Sequence, residues 1–399
     1  MNQSVRPSTN QCEQQSFLML SPFDVFRPAT GSERRIGAIA GEISKIHRTY
    51  LLFPMRESGR EARRLTPNVE SVPYSLLFGI RFEKIFSAPA LLKALRIHRR
   101  AGWDYIYAHT LWSAAMGLIL RLLTGTPMVL DEHNAEYIRF RRTSSRTWRA
   151  VAVYERIMCR KADCLFVVSE SDRDFLADLL RGSVEAHVAC NGVDDAVFHP
   201  EPQATWTRGA QQINEEPFVL FFGNLSYKPN REAVRVIRDE ILPRVKDVIP
   251  TIRFVIAGRN PPLLGKAGGN LEFVGEYPRI QDLINLSELV ICPLISGGGT
   301  RLKILESIAC GKTVVSTTIG AEGLATDVLG SNLVLADDWG LFSEKVADLF
   351  KAKRRDSVPP GFLERYAWRN IVARQILRGV AECRGGHPGS AGSGNTPGS

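Results

Sequence analysis

Residues 292–306 read CPLISGGGTRLKILE and contain the pattern that decides the fold. The apolar residues at its start are typical of a buried strand, and the residues after the turn have the apolar spacing of a helix. Three glycines in between let a ligand approach the backbone closely, and the N–H groups of a helix start favour an anion. The segment therefore predicts a strand–turn–helix unit with an anion site at Gly297, Gly298 and Gly299.

Short apolar runs alternate with helical patterns on both sides of this segment. The runs that predict strands lie at residues 17–20, 50–53, 105–108, 128–131, 164–168 and 186–190, and again at 218–222, 253–257, 271–274, 289–292, 313–316 and 332–335. Such alternation is typical of parallel sheets covered by helices. We therefore predict an α/β protein with two Rossmann-like, doubly wound domains that bind ligands at the carboxyl ends of their strands, across a shared cleft.

The length of 399 residues also suits two domains. We place the first domain at residues 16–198 and the second at 217–365, joined by a polar linker at 199–216. A further helix is expected at 366–382. The leader at 1–15 and the Gly-, Ser- and Pro-rich tail at 383–399 are predicted to be disordered.

The composition excludes several classes of protein. With 44% hydrophobic and 23% charged residues the chain is globular, not disordered. The seven cysteines include no CxxC pair and no Cys/His ligand spacing, so we expect neither a disulfide framework nor a structural zinc. The N-terminus lacks the apolar core of a signal peptide, and the best apolar stretch, at 111–123, is too short to cross a bilayer. These features predict a cytoplasmic protein.

The formal net charge of +9 is concentrated in the first half of the chain. Basic residues cluster at 56–64, 81–100 and 139–149, and this half is suited to an anionic partner such as nucleic acid, a membrane or a phosphorylated substrate. No recognisable nucleic-acid-binding module is present, so we expect no nucleic acid partner. Residues 81–100 alternate basic and apolar positions at helical spacing, which favours contact with the inner face of an anionic membrane. A solvated basic surface is the alternative.

Three polar side chains follow the glycine turn. Thr300 can cap the helix, Lys303 can bring a positive charge to a diphosphate, and Glu306 lies one turn beyond Lys303, where its carboxylate can accept two sugar hydroxyls. The structural alternative is an ordinary turn followed by a surface ion pair.

The run GGGTRLKILESIACGKTVVSTTIGAEGL, residues 297–324, closely resembles the donor-site signature of the family 4 glycosyltransferases, retaining enzymes of the GT-B fold. VLDEHNAE at 129–136, NGVDDAVFHP at 191–200 and FFGNLSYKPNREAV at 221–234 are similar to other motifs of that family. The resemblance covers residues 17–376. It implies transfer of a sugar from a nucleotide diphosphate carrier to an acceptor, with retention, and a final helix that crosses back to the first domain.

The resemblance also implies roles for the donor-site residues. Glu306 is expected to bind the ribose, and the pyrophosphate is expected to contact Gly297, Gly298, Gly299, Thr300, Arg301 and Lys303. The loop after the first strand of the second domain is expected to add contacts from Gly223, Asn224 and Lys228. Many members have a glutamate where this chain has Gly298, so the contact with the transferred sugar must differ.

On the acceptor side, His133 matches the cleft histidine of the family, which contacts the donor sugar or assists the reacting centre. Gly31, in the loop at 28–34, is expected to line the cleft, and an ordinary helix-capping turn is the alternative there. His109, at a strand end, is a candidate for the same cleft, and a local structural contact is the alternative that its position favours. Glu322 is a further candidate for the donor site, with a solvated loop acid as the alternative, and Trp368 is expected to be a packing residue.

No Asp-x-Asp motif stands at a strand end, so we expect transfer without a metal or other cofactor. The expected partners are a nucleotide-sugar donor and a carbohydrate or lipid-linked acceptor. A sugar-nucleotide epimerase of the same fold and a non-catalytic nucleotide-sugar-binding protein are the alternative functions.

Overall fold

The computed structural model describes residues 14–26, 30–55, 66–75, 85–143, 145–201, 207–208, 211–212, 216–259, 269–277, 279–297, 299–353 and 357–385. Several sequence-based predictions fall outside the described residues: Gly298, most of the leader, the tail from residue 386, the basic residues at 56–64 and the start of the basic stretch at 81–84.

The first domain contains a seven-stranded parallel sheet in the order β3-β2-β1-β4-β5-β6-β7. Its strands are β1 (Ser16–Leu20), β2 (Arg48–Pro54), β3 (Val69–Tyr74), β4 (Tyr105–His109), β5 (Met128–Glu132), β6 (Cys164–Val167) and β7 (Ala186–Val188). The chain builds outward from β1 to one edge and from β4 to the other. The topological switch point therefore lies between β1 and β4, and ligands of such sheets bind outside the strand ends there.

Within the described residues, six helices cover this sheet: α1 (Gly31–Ile43), α2 (Ala88–Ala101), α3 (Thr110–Thr124), α4 (Glu136–Arg142), α5 (Trp148–Lys161) and α6 (Glu170–Leu180). Helix α1 begins with a capping box, in which the Thr30 hydroxyl accepts the N–H of Glu33 and the Glu33 carboxylate accepts the N–H of Thr30. Gly31 is thus the first residue of a helix and not a loop residue.

The second domain contains a six-stranded parallel sheet in the order β12-β11-β10-β13-β14-β15, with its switch point between β10 and β13. A short antiparallel hairpin, β8 (Thr207–Arg208) and β9 (Gln211–Gln212), precedes it inside the predicted linker. The sheet strands are β10 (Val219–Phe222), β11 (Phe254–Ala257), β12 (Leu271–Gly275), β13 (Leu289–Cys292), β14 (Val314–Ser316) and β15 (Leu333–Leu335).

The helices of the second domain are α7 (Lys228–Val236), α8 (Leu242–Val248), α9 (Ile280–Leu286), α10 (Leu302–Ala309), α11 (Thr326–Leu329), α12 (Trp339–Ala352) and α13 (Phe362–Tyr366). A π-helical turn at Ile237–Ile241 joins α7 to α8, and a 3₁₀ turn at Gly330–Asn332 follows α11. The predicted α/β architecture with two doubly wound domains is confirmed. The strand β3 was not predicted, because VESVPY contains a proline and has only a weak apolar pattern.

The chain then returns to the first domain through α14 (Trp368–Ile371), a π-helical turn at Val372–Leu377 and α15 (Arg378–Gly385). The Trp368 ring lies 5.9 Å from the Arg35 guanidinium of α1. A Cβ atom on Gly379 would lie 2.8 Å from the Phe166 ring, so α15 approaches β6 more closely than another residue would allow.

Two cysteines are paired where α15 meets the first sheet. Cys164 on β6 and Cys383 on α15 form a disulfide with a Cα–Cα distance of 5.7 Å. The cysteine spacing indicates no disulfide framework, and this single bridge was not predicted. The two residues are 219 positions apart, so no local spacing signals their contact.

Candidate active site

The carboxyl ends of both sheets face one cleft between the domains. The loops after β1 and β5 line it from the first domain, and the loops after β10 and β13 line it from the second. The cavity has a volume of about 490 Å³, which suits a ligand of nucleotide-sugar size. Both switch points therefore contribute to a single site.

Lys303 is a cation of the second domain that lines this cleft. Its Nζ donates to Asn230 Oδ1 at 3.0 Å and lies 4.2 Å from the centroid of the Phe221 ring. A Cβ atom on Gly223 would lie only 2.9 Å from Nζ, so glycine leaves room for the ammonium. Burial lowers the pKa of Lys303 to about 8. A half-buried ammonium with a neutral partner is suited to receive an anion.

The glycine turn before α10 contacts the first domain directly. Gly299 has φ of +75°, and a Cβ atom there would lie 2.5 Å from Asn134 Oδ1 in the loop after β5. Gly297 has φ of +112°, and a Cβ atom there would lie 2.9 Å from an Arg301 nitrogen. The positive φ favours glycine at both positions, and at Gly299 space is also short.

Glu306 places a buried carboxylate one turn beyond Lys303. Its Oε1 accepts a hydrogen bond from Arg34 on α1 of the first domain. Its Oε2 has no hydrogen-bond partner among the described residues. Next to this pair, a Cβ atom on Gly31 would lie 3.4 Å from Leu302 at the start of α10. The start of α1 and the start of α10 therefore meet across the cleft.

Asp131, at the end of β5, is the centre of a buried hydrogen-bond network. It accepts from Arg35 Nη2 at 2.7 Å and Nε at 3.0 Å, from His133 Nε2 at 3.2 Å and from His109 Nδ1 at 3.3 Å. Burial would raise the pKa of Asp131, but the Arg35 charge and the two histidines outweigh burial and hold that pKa well below its usual range. Asp131 is therefore a buried carboxylate anion.

The ionised Asp131 fixes the tautomers of both histidines, because each must present an N–H group to it. His133 Nδ1 and His109 Nε2 then carry lone pairs, and neither has a hydrogen-bond partner among the described residues. Burial lowers the pKa of His133 to about 4, so its ring is neutral at pH 7. The side chains of His109, Asp131 and His133 are of types that can ligate a metal, and they lie in one cluster. Arg35 already occupies both Asp131 oxygens, and its charge opposes a cation there.

Helix α4 adds two arginines at the edge of the cleft. Glu155 of α5 orients this helix by accepting the N–H groups of Glu136 and Tyr137 at 2.7 and 2.8 Å. Arg139 lines the cleft, and Arg142 forms two hydrogen bonds of 2.9 Å with Glu322 of the second domain.

Two family models match most of the described chain. The model for Glycosyltransferase Family 4 matches residues 29–197, and the model for Glycosyl transferases group 1 matches residues 216–352. This chain belongs to the family 4 glycosyltransferases. The first match contains the Asp131 network, and the second contains the glycine turn, Lys303 and Glu306.

Two individual relatives match parts of this chain. The chain is 31% identical over 144 residues to a 44.6 kDa protein in the cps region of Klebsiella pneumoniae, and this match covers 33% of the chain. It is 24% identical over 242 residues, or 54% of the chain, to α-maltose-1-phosphate synthase of Mycolicibacterium smegmatis. The matches span 37% and 59% of the lengths of these two relatives.

Solved structures show the same GT-B fold. Sucrose-phosphate synthase from Thermosynechococcus elongatus superposes with a TM-score of 0.73 at 15% identity, over 93% of this chain and 99% of that chain. HepE of Anabaena, in complex with UDP and glucose, has a TM-score of 0.63 at 16% identity, over 94% of this chain and 100% of that chain.

Most of the predicted site residues of this family 4 glycosyltransferase line the same cleft. These are Gly31, His133, Gly223, Asn224, Gly299, Thr300, Arg301, Lys303 and Glu306. Thr300 does not cap the helix, because α10 begins two residues later at Leu302, with Arg301 at the capping position. Arg301 instead donates to the Gly299 carbonyl at 2.9 Å. The assignment of each residue to donor or acceptor remains a prediction.

Gly297 is not among the residues that line this cavity, and three predicted side chains lie elsewhere. His109 is fully buried behind Asp131. Lys228 is the first residue of α7, with its side chain 76% exposed and 3.5 Å from Glu232. Glu322 lines a smaller neighbouring pocket, where it pairs with Arg142.

The residues that contact the predicted ones from the other domain or strand were not predicted. Arg34 and Arg35 follow the capping box of α1 and point to different partners, Glu306 and Asp131. Asn134 lies next to Gly299 in the glycine turn, and Asn230 accepts a hydrogen bond from Lys303. Asp131 could have been noticed in VLDEHNAE, because it ends the predicted strand at 128–131 and lies two residues before His133.

We expect the free energy of unfolding to fall as pH decreases from about 6.5 to 4, partly because of His133. Above pH 6.5 the ring is neutral in both states. Below it the unfolded chain binds a proton that the folded protein, with a pKa of about 4, does not accept. Urea unfolding at neutral and mildly acidic pH should therefore show about 2 kcal/mol less acid destabilisation in His133→Gln than in the wild type.

His199→Gln is the control for this measurement, because His199 is exposed and far from the network. It should keep the acid destabilisation of the wild type. Equal pH dependence in the wild type and in His133→Gln would contradict a neutral buried ring.

Proposed function

We propose that this chain moves a sugar from a nucleotide diphosphate sugar onto a carbohydrate or lipid-linked acceptor, with retention at the anomeric carbon, in bacterial polysaccharide or glycoconjugate synthesis. One observation carries the proposal: the Lys303 ammonium, the glycine turn and the Glu306 carboxylate converge in one cleft, opposite His133. The donor diphosphate lies against Lys303 and the turn, and the ribose hydroxyls lie against Glu306.

The leaving group determines what the protein must supply. A nucleoside diphosphate gains negative charge as it departs, and fixed cations in a half-buried cleft stabilise that charge. Lys303 supplies a full charge, and Arg301 at the start of α10 supplies a second. A diphosphate beside Lys303 favours its protonated form and raises its pKa from about 8. With these cations in place, we propose transfer without a metal ion.

Donor binding at Glu306 requires Arg34 to move. Arg34 holds Oε1 of Glu306 through a hydrogen bond, and its own side chain is 41% exposed. The ribose hydroxyls donate to the Glu306 carboxylate in place of Arg34, and Arg34 turns towards the diphosphate. The position of Arg34, a cation of the first domain, therefore depends on whether the donor site of the second domain is filled.

His133 contributes a hydrogen-bond acceptor and not an acid. Its ring is neutral, and its Nε2–H donates to Asp131. Nδ1 is then the ring atom that can accept a hydrogen bond from a sugar hydroxyl. In the retaining step, the acceptor oxygen bonds to the anomeric carbon on the face from which the phosphate departs. The bond to the diphosphate breaks, and the acceptor proton passes to the departing phosphate oxygen.

A thermal-shift screen of nucleotide sugars tests the proposal first, because a donor at a hundred times its dissociation constant adds about 2.7 kcal/mol of stability. NMR of the product then shows whether the new glycosidic bond keeps the donor configuration. An altered sugar nucleotide formed without acceptor would identify an epimerase. Binding without hydrolysis or transfer would identify a non-catalytic binding protein.

We also propose that the first domain contacts an anionic membrane at the cytoplasmic face. No helix in the described ranges has both the length and the apolar character needed to cross a bilayer. Helix α3 packs between α2 and α5, and these three helices expose the apolar side chains Leu92, Leu122, Leu123, Val153 and Ile157. Basic residues accompany them, with Arg96, Arg99, Arg100 and Arg149 on α2 and α5. Apolar insertion and attraction to anionic lipid then act on the same surface.

The double substitution Leu122→Ser and Leu123→Ser is expected to weaken binding to phosphatidylcholine vesicles containing about one-third phosphatidylglycerol by about tenfold, because it removes apolar area from the inserted surface. Vesicle sedimentation measures the bound fraction. Val248→Ser is the matched control, since Val248 is an exposed apolar residue of the second domain. If the wild type stays in the supernatant with these vesicles, the membrane proposal is wrong.

A further inference from the structure

Three metal-ligating side chains meet where helix α15 packs on the first domain. Cys164 lies at the amino end of its strand, whereas the cleft lies at the carboxyl ends. Cys164 begins β6, His187 lies on the neighbouring strand β7, and Cys383 lies on α15. Their ligand atoms all lie within 4.8 Å of one another. The two sulfur atoms form the disulfide described above.

A disulfide alone does not require a histidine beside it, yet His187 lies next to this one. Its Nε2 lies 3.4 Å from Cys383 Sγ. Two ligands at the corners of a zinc tetrahedron, with Zn–S of about 2.3 Å and Zn–N of about 2.0 Å, lie about 3.5 Å apart. The nitrogen and this sulfur are therefore already separated as two ligands of one ion would be.

The other ring nitrogen of His187 faces a carboxylate. His187 Nδ1 lies 3.9 Å from Glu382 Oε2, on the residue next to Cys383. Metal-binding histidines commonly direct their second nitrogen to a carboxylate, which fixes the tautomer and makes the first nitrogen a better ligand. Glu382 also accepts from Arg378 at 2.8 Å, so the carboxylate is held near the ring.

The site also has room for a fourth ligand. A cavity of about 410 Å³ is lined by Cys164 and Cys383, together with Tyr105, Arg121 and Arg384. Asp163 already binds Arg121 through two hydrogen bonds of 2.6 Å. Two cysteines and one histidine that leave a position open to a cavity form a ligand set suited to Zn²⁺.

We propose that the reduced form of this cluster binds one Zn²⁺ through Cys164 Sγ, His187 Nε2 and Cys383 Sγ, and that the disulfide is the metal-free form of the same site. A dithiol reductant supplies two electrons and two protons, which converts the disulfide into two thiols while the reductant forms its own disulfide. Zn²⁺ then displaces the two thiol protons to solvent. The ion ties α15, which continues from the second domain, to the sheet of the first.

Cobalt and zinc titration of the full chain tests this proposal without any assay of sugar transfer. The protein is reduced with dithiothreitol, desalted without oxygen and titrated with Co²⁺. Thiolate-to-cobalt charge-transfer absorption should saturate at one equivalent, and one equivalent of Zn²⁺ should abolish it. Protein oxidised with glutathione disulfide should show no such absorption, and this arm needs no substitution.

Variants identify the ligands. Loss of an outer hydrogen-bond partner weakens metal sites by about 10–100-fold. We therefore expect Glu382→Gln to weaken Zn²⁺ binding by that factor or less. Cys383→Ser and His187→Ala should weaken Zn²⁺ binding further. Cys310→Ser and His199→Ala, at a buried cysteine and an exposed histidine elsewhere, should bind as the wild type does. Reduced wild type that has two more titratable thiols than the oxidised protein but binds no cobalt, or a Cys383→Ser variant with wild-type affinity, would overturn the proposal.

Discussion

Replacing Lys303 by methionine is expected to lower kcat/KM for sugar transfer by about 10²–10³-fold, because it removes the charge that faces the departing diphosphate. Methionine has a similar length and an apolar end that can stay against the Phe221 ring, which the ammonium now approaches at 4.2 Å. The fold should therefore be retained. Initial rates at varied donor and fixed acceptor concentration measure the effect.

Lys228→Met is the matched control, because it removes the same charge from the same domain at a residue that does not line the cleft. The family resemblance implies a phosphate contact at this position, whereas the structure places the side chain on the surface of α7. We expect a change of no more than about twofold, as for other exposed ion pairs. An equal loss in both variants would show that the diphosphate is not held specifically by Lys303.

Asp131→Asn is expected to lower the free energy of unfolding by about 3–5 kcal/mol, because it leaves the Arg35 guanidinium buried without its counter-charge. The substitution keeps the size of the side chain, so a cavity does not contribute. Two histidines also lose a charged acceptor. Urea unfolding at neutral pH measures the change.

Asp239→Asn is the comparison for this prediction. Asp239 binds Arg238 through hydrogen bonds of 2.5 and 2.7 Å, but on the protein surface, where solvent screens the pair. We expect no measurable change in its stability. If Asp131→Asn unfolds at the same urea concentration as Asp239→Asn, the network does not hold this end of β5 as we describe.

The sequence predicts local features of this protein well, because those features are encoded locally. Apolar runs bounded by turns predict the strands, and the glycine run predicts the turn before α10, where Gly297 and Gly299 have positive φ. Lys303 and Glu306 are three residues apart on one helix, so their shared face follows from helical geometry alone. The family motifs carry the same local information.

Contacts between distant elements are what the sequence does not show. The rotation of α1 decides that Arg34 reaches Glu306 while its neighbour Arg35 reaches Asp131, and no pattern in the segment predicts two such different partners. The start of α7 is a closer case. Pro229 favours the first turn of a helix, and it could have indicated that Lys228 lies on α7 and not in the loop before it.

Our central claim is that Lys303 and the glycine turn hold a pyrophosphate in the cleft between the domains. Calorimetric titration of the wild type and of Lys303→Met with a nucleoside diphosphate and the matching monophosphate, using the nucleotide selected by thermal shift, tests it most directly. We predict that the wild type prefers the diphosphate by at least about tenfold and that the variant loses this preference. The same preference for the diphosphate in both proteins would contradict the claim.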